Sequence, residues 1–288
     1  MPRATLHGKL NPLNFAEKLQ FLACTVDVRT DVAAFARRLR YLAQHAEQDH
    51  IVTGHADFDV THEGGAYVVR EDGALVFADA SGEAAFEALF ERIQRRAFAA
   101  LPDDIRIHAA SGVINGQMFL LVGPPLSGKT TIALHLLVNG TEMVGDELVL
   151  FRGGLAAAFP RKFYLRESSF RLLPAVHRVA ADLPLVIDGR GGKRMAIDPK
   201  NLGCPWRIAR MPIKALFYLD PEFSGKSRIY SCAKVDMVRH VMGQCSPPLS
   251  QRKGWIGDLC TLINDATVHI LAVGDLDSAA LVIRDRLR

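Results

Sequence analysis

The chain has 288 residues and a mass of 31.6 kDa, room for one large domain or a core with a smaller appendage. Apolar residues make up 49% and charged residues 23%, which argues against disorder, and a net charge of +4 spread over the whole length is too weak to imply a nucleic-acid partner. No run approaches the roughly 18 uninterrupted apolar residues of a membrane span, Met1 to His7 lack a signal-peptide core, and five cysteines without a Cys-x-x-Cys pair point to reduced thiols in a cytoplasmic protein.

Residues 1–100 read as a small α+β accessory region. Thr30 or Asp31 is placed to cap a helix running to about Gln44, with Val32, Phe35, Ala36, Leu39 and Leu42 on one face. Short β-prone runs follow at 57–61, 66–69 and 74–77, separated by Glu63-Gly64-Gly65 and Asp72-Gly73 turns. Ser81 then fits the N-cap of a helix whose Phe86, Leu89, Phe90, Ile93, Ala97 and Phe98 recur at helical spacing, and Pro102 lies just past its end. That stripe reads as a buried face rather than a binding surface.

A second domain is expected over 101–288. Residues 105–110 and 111–114 are strand-like, Asn115-Gly116 makes a two-residue turn, and Gln117 to Val122 is the apolar run of a central strand. A helix is expected from Thr130 to about Asn139, with Gly140 as its left-handed stop. Strands are expected at 142–144, 148–151 and 155–159.

Between that central strand and helix lies Gly123-Pro124-Pro125-Leu126-Ser127-Gly128-Lys129-Thr130, which fits the phosphate-loop pattern G-x-x-x-x-G-K-[ST]. Glycines let the backbone curl so that N–H groups point inward at phosphate oxygens, and the helix N-terminus adds its positive dipole end. Pro124 and Pro125 donate nothing, so the amides come from Leu126 through Thr130, with Thr131 in the first turn. Lys129 has the reach for the β- and γ-phosphates, and the Thr130 hydroxyl is a Mg²⁺ ligand candidate.

An acid follows almost at once in Gly145-Asp146-Glu147, one helix and one short strand beyond the lysine, at the same end of the sheet. Asp146 is the candidate base for an attacking hydroxyl, and Glu147 either joins the metal or points elsewhere. Arg161-Lys162 and the stretch from Arg190 to Arg194 are the notable basic clusters, each a potential clamp on a moving phosphoryl group and each equally readable as solvated surface.

The run Ile107-His108-Ala109-Ala110, Phe119 to Gly123, Ser127 to Thr131, Asn139-Gly140 and Gly145 to Leu148 resembles the HPr kinase/phosphorylase catalytic domain and its relatives. Pro160 to Leu165 looks like the Pro-Arg segment of the related kinases, and Ala266 to Ala279 like their closing strand and helix. The resemblance implies an α/β fold of the PEP-carboxykinase type, a mixed sheet around a phosphate loop. It implies phosphotransfer from ATP with Mg²⁺ to a Ser/Thr hydroxyl, Asp146 activating the acceptor, His108 near the acid and the γ-phosphate, Thr130 and Glu147 at the metal, and Arg161 in the catalytic set. A peptide acceptor is implied because relatives accompany peptide-modifying systems such as lasso-peptide maturation, and a tendency to homo-oligomerise comes with the family. The acid-Arg-Gly-x-Gly signature of the bacterial enzymes is absent from its usual position, with only a faint, late echo at 185–193. A small-molecule acceptor such as free serine, and a nucleotide-binding regulator without transfer, stay open as alternatives.

Overall fold

The computed structural model describes residues 14–45, 50–180, 183, 185–187 and 192–288. They group into two compact units, one within residues 1–101 and one made chiefly of residues 102–288.

In the first unit, strands β1 (Phe15–Phe21) and β2 (Cys24–Thr30) precede helix α1 (Ala33–Gln44). After it come β3 (Gly54–Glu63), β4 (Ala66–Glu71), β5 (Ala74–Asp79) and helix α2 (Gly82–Ala99). The five strands form one sheet in sequence order, antiparallel except for the β2–β3 pair. A parallel pair needs a crossover, and α1 supplies it. Period-2 alternation decides the faces: Val26, Val28, Ala56 and Phe58 are buried, while Arg29 and Asp59 meet in an ion pair at 2.7 Å on the outer side. Helices α1 and α2 cover the buried face with Phe35, Leu39, Phe86, Leu89 and Ile93. Ser81 caps α2 as expected, its hydroxyl accepting from the Ala84 N–H at 3.3 Å. Strands β1 and β2 were not anticipated; the Glu17-Lys18 and Gln20 positions of β1 have weak strand propensity, and pairing with β2 supplies what propensity does not.

The second unit begins with β6 (Ile105–Ile107), β7 (Ala109–Ile114) and β8 (Gln117–Val122), then α3 (Lys129–Val138), β9 (Glu142–Gly145), β10 (Val149–Arg152), β11 (Leu155–Ala158) and β12 (Phe163–Arg166). A 3₁₀ turn (Glu167–Leu172), α4 (Pro174–Ala180), β13 (Leu185–Ile187), β14 (Lys193–Ile197) and β15 (Ile213–Pro221) come next. The chain closes with β16 (Arg228–Ser231), α5 (Lys234–Met242), β17 (Cys245–Ser246), α6 (Trp255–Asp265), β18 (Thr267–Val273) and α7 (Leu276–Arg286).

Six of these strands make a mixed sheet in the order β16-β18-β15-β8-β7-β9, with parallel pairing only among β18, β15 and β8. Met118 through Val122 of β8 are fully buried, as a central strand covered on both sides requires. Ile132, Ala133, Leu136 and Leu137 of α3 pack with Phe119, Leu121, Phe217 and Leu271 in one apolar core. Two smaller antiparallel sheets accompany it, β11-β10-β6-β17 and β12-β14-β13. The run 105–110, expected as one strand, is split at His108: β6 joins the four-stranded sheet and β7 the six-stranded one, and the His108 N–H donates to Gln244 O at 2.8 Å in the corner between them. All five cysteines are free. Among the described residues no helix is long and apolar enough to cross a membrane.

Candidate functional site

The C-terminal end of β8 runs straight into the glycine-rich loop and then into α3, the local arrangement that the phosphate-loop pattern predicts. Two features keep this turn tight. A Cβ on Gly123 would lie 2.8 Å from Ser127 Oγ and 3.1 Å from Leu219, so the first position has no room for a side chain. Gly128, at φ 95°, occupies the left-handed region and leaves the first amides of α3 open. The Ser127 N–H donates to Pro124 O at 3.2 Å, and Lys129 Nζ folds over the loop to donate to Gly123 O at 2.7 Å and Pro124 O at 3.0 Å. The prolines thus give no N–H, yet the carbonyl of Pro124 anchors both the loop and its lysine. Ser127 Oγ is buried beside Gly123 without a partner among the described residues.

Asp146 arrives from the other side. A Cβ on Gly145 would come within 2.4 Å of Ala158 Cβ, so only glycine lets β9 pass this close and deliver the next residue to the loop. The Thr130 hydroxyl donates to Asp146 Oδ2 at 2.8 Å. Asp146 is 3% exposed, and burial, opposed by the Thr130 hydrogen bond, pushes its carboxyl up to about 6. Burial likewise lowers the Lys129 ammonium, against the pull of Asp146 and Glu147. His108 sits beside them half-buried; burial and then Lys129 lower its imidazole, while Glu147, through its charge and a backbone hydrogen bond, acts in the opposite sense. The site therefore holds a neutral histidine, a buried acid and a desolvated lysine within one charge network.

The two acids go separate ways. Glu147 adopts φ 73°, a left-handed conformation rare for a residue with a side chain. Its Oε2 ion-pairs with Arg161 Nη1 at 2.7 Å, and the Arg161 guanidinium lies over the Tyr164 ring at 5.0 Å. The hydroxyl expected at the metal is thus bonded to Asp146, whereas Glu147, expected with it, faces Arg161. Arg161, expected as a phosphate clamp, is engaged by Glu147 and is not among the lining residues of the cleft. Arg190 lies outside the described residues; Lys193 and Arg194 fall at the start of β14.

His108, Leu126 through Thr131, Asp146 and Glu147 open on one cleft of about 1270 Å³. The same cleft takes in Arg166, Arg171 and Phe223, which no sequence motif marked, and Asp275 and Asp277, which lie in the stretch read as a closing strand and helix without a role at the site. Phe223, 61% exposed at φ 52°, has its ring edge 3.9 Å from where a Cβ on Gly128 would lie, so it stands at the mouth of the loop. Asp275 caps α7, accepting from the Ser278 N–H at 2.8 Å, and Asp277 pairs with His135 of α3 at 3.1 Å. A signal for the arginines was present in the density of Arg161, Arg166 and Arg171 over one short stretch, but without a periodicity to say which way they face.

The residues fit a nucleotide triphosphate with a divalent cation. Open amides at the α3 N-terminus, an unpartnered buried Ser127 hydroxyl and a glycine with no room for a Cβ form an anion cradle, and Thr130 with Asp146 offers a pair of hard oxygen donors beside it.

No protein-family model matches the chain, and no curated protein does so. Among solved structures, the HPr(Ser) kinase/phosphatase from Coxiella burnetii is similar at 14% identity with a TM-score of 0.30, covering 63% of this chain and 96% of that one. At that identity and TM-score the likeness bears on neither the substrate nor the reaction.

Proposed function

We propose that the chain is an ATP- and Mg²⁺-dependent kinase that transfers the γ-phosphoryl group to a serine or threonine hydroxyl of a peptide or protein. The observation that carries this reading is the buried Asp146, bonded at 2.8 Å to the hydroxyl that opens α3 and pushed up to about 6, beside a phosphate cradle. An acid of this strength beside the cradle suits a base at the acceptor hydroxyl.

MgATP, when bound, supplies the transferable phosphoryl group and the counter-charge on it. Asp146 takes the proton from the acceptor hydroxyl; a carboxylate has about four lone-pair sites, so the Thr130 bond leaves it capacity to do so. Thr130 and Asp146 together hold the cation side of the site. Lys129 and the amides of Leu126 through Thr130 orient and neutralise the β- and γ-phosphate oxygens. His108, lowered by burial, stays neutral near pH 7 and hydrogen-bonds rather than adding a positive charge. Glu147 positions Arg161 instead of ligating metal in this reading.

The test uses γ-labelled ATP, Mg²⁺ and host-cell extract, with wild type and Asp146→Asn compared and products sorted by size. Asp146-dependent label on a peptide or protein supports the proposal. Label confined to the small-molecule fraction makes the protein a metabolite kinase, and intact nucleotide binding without transfer in any fraction makes it a regulator.

A further inference from the structure

The far wall of the cleft is basic, with Arg166, Arg171 and Arg194 among its lining residues. Arg166 ends β12 and Arg194 lies near the start of β14, and the two are directly opposed in the antiparallel register. Arg194 is engaged by an interaction of its own, which leaves Arg166 as the uncommitted member of the pair. Arg171, in the 3₁₀ turn that follows β12, lines the same cleft. Neither Arg166 nor Arg171 makes a hydrogen bond or ion pair among the described residues.

The acids that line the cleft are engaged elsewhere. Of the four that line the cleft, Asp146 bonds Thr130, Glu147 pairs with Arg161, Asp275 caps α7 and Asp277 meets His135. Guanidinium groups left together over a concave surface are the usual receptor for phosphate or carboxylate, through paired N–H donors. The cradle at the α3 N-terminus already provides for nucleotide phosphates, and the arginines stand on a different sheet. The cleft, at about 1270 Å³, also exceeds the roughly 300–1,000 Å³ of a pocket for one small ligand.

We propose that Arg166 and Arg171 form an oxyanion subsite for the acceptor, so that the phosphorylated molecule carries a phosphate or carboxylate of its own near its hydroxyl. The inference rests on the kinase reading of the same cleft for the word acceptor, and on the arginines alone for the subsite. It selects acidic acceptors: a hydroxyl compound or a peptide segment with an anionic group seated on the basic wall, its hydroxyl turned toward Asp146.

Calorimetric titration of inorganic phosphate and of succinate into the full chain, with and without saturating AMP-PNP and Mg²⁺, tests it. At least one anion should bind with the nucleotide analogue in place, and the double variant Arg166→Gln, Arg171→Gln should weaken that binding about tenfold or more while AMP-PNP affinity moves less than about twofold. The double variant should also melt no lower than wild type, because neither arginine has a hydrogen bond or ion pair among the described residues to lose. Anion binding unchanged in the variant overturns the subsite. So does anion binding in wild type that AMP-PNP abolishes, or an equal loss of AMP-PNP affinity, since the arginines would then serve the nucleotide. A fall in Tm with the loss of anion binding makes them structural and overturns it too. If AMP-PNP does not bind at all, the kinase reading fails, and the anion titration without nucleotide still decides the subsite by the same variant.

Discussion

Two carboxylates of this protein are almost equally buried, Glu71 at 5% and Asp146 at 3% exposure, and they do opposite things. Glu71, at the end of β4, is gripped by Arg92 and Arg96, which lie one helical turn apart on α2 and so present both guanidinium groups to one acid. Asp146, at the end of β9, has a neutral hydroxyl as its hydrogen-bonding side-chain partner and no ion pair among the described residues. The first acid is compensated and holds β4 to α2. The second is left with the cost of burial, which pushes its carboxyl up to about 6 and makes it ready to exchange a proton. Equal burial therefore leaves two acids in different states, and the direct ion pairs at Glu71, with none at Asp146 among the described residues, separate them.

The largest expected effect breaks the comparison at its functional end. Asp146→Asn should lower phosphotransfer by roughly 10²–10⁴ while nucleotide binding persists, read by single-turnover transfer of labelled phosphate and by calorimetry. Unchanged transfer would remove Asp146 from the role of base. The pH profile sharpens the same point: with the carboxyl pushed up to about 6, wild-type kcat/KM should rise about tenfold per unit below that pH and level off above it.

Stability should then move in opposite directions at the two acids. The Asp146 carboxyl titrates above its unfolded value, so the folded state binds the proton more tightly and loses stability as pH rises from about 4 through about 6. Asp146→Asn should accordingly raise Tm by a few degrees at pH 7, with the gain fading toward pH 4, as followed by thermal melts across that range. Glu71→Gln should do the reverse, costing on the order of 1–3 kcal/mol, discounted because Arg92 and Arg96 are themselves more than a third exposed, read from denaturant midpoints. A destabilised Asp146→Asn or an unaffected Glu71→Gln would dissolve the contrast. The smallest effect is on the helix that carries the Glu71 arginines: Ser81→Ala removes the α2 cap and should cost about 1 kcal/mol, again from denaturant midpoints.

Legibility in the sequence followed the range of the interactions. The α2 face of Phe86, Leu89, Phe90 and Ile93 and the Ser81 cap rest on spacing within one helix, and they were readable there. Strands β1 and β2 were not, since their alternation is interrupted by polar residues and becomes decisive only on pairing. The corner at His108 was missed because nothing local shows that β6 and β7 serve different sheets.

By itself the sequence determined the strand, loop and helix that the proposed function takes as a phosphate cradle. Strand, loop and helix are contiguous from Gln117 to Val138, so glycine conformation, the missing proline donors and the lysine position follow from local chemistry. It also determined that an acid returns to that end of the sheet, because one helix and one strand are a fixed length of chain. Only the tertiary structure shows how the two acids part. Gly145 packed on Ala158 delivers Asp146 to Thr130, and the left-handed turn at Glu147 sends the next carboxylate to Arg161. The arginine wall is likewise tertiary: Arg166 and Arg194 become neighbours through the register of β12 and β14, a relation between distant segments that hydrogen bonding across strands sets and sequence spacing does not contain.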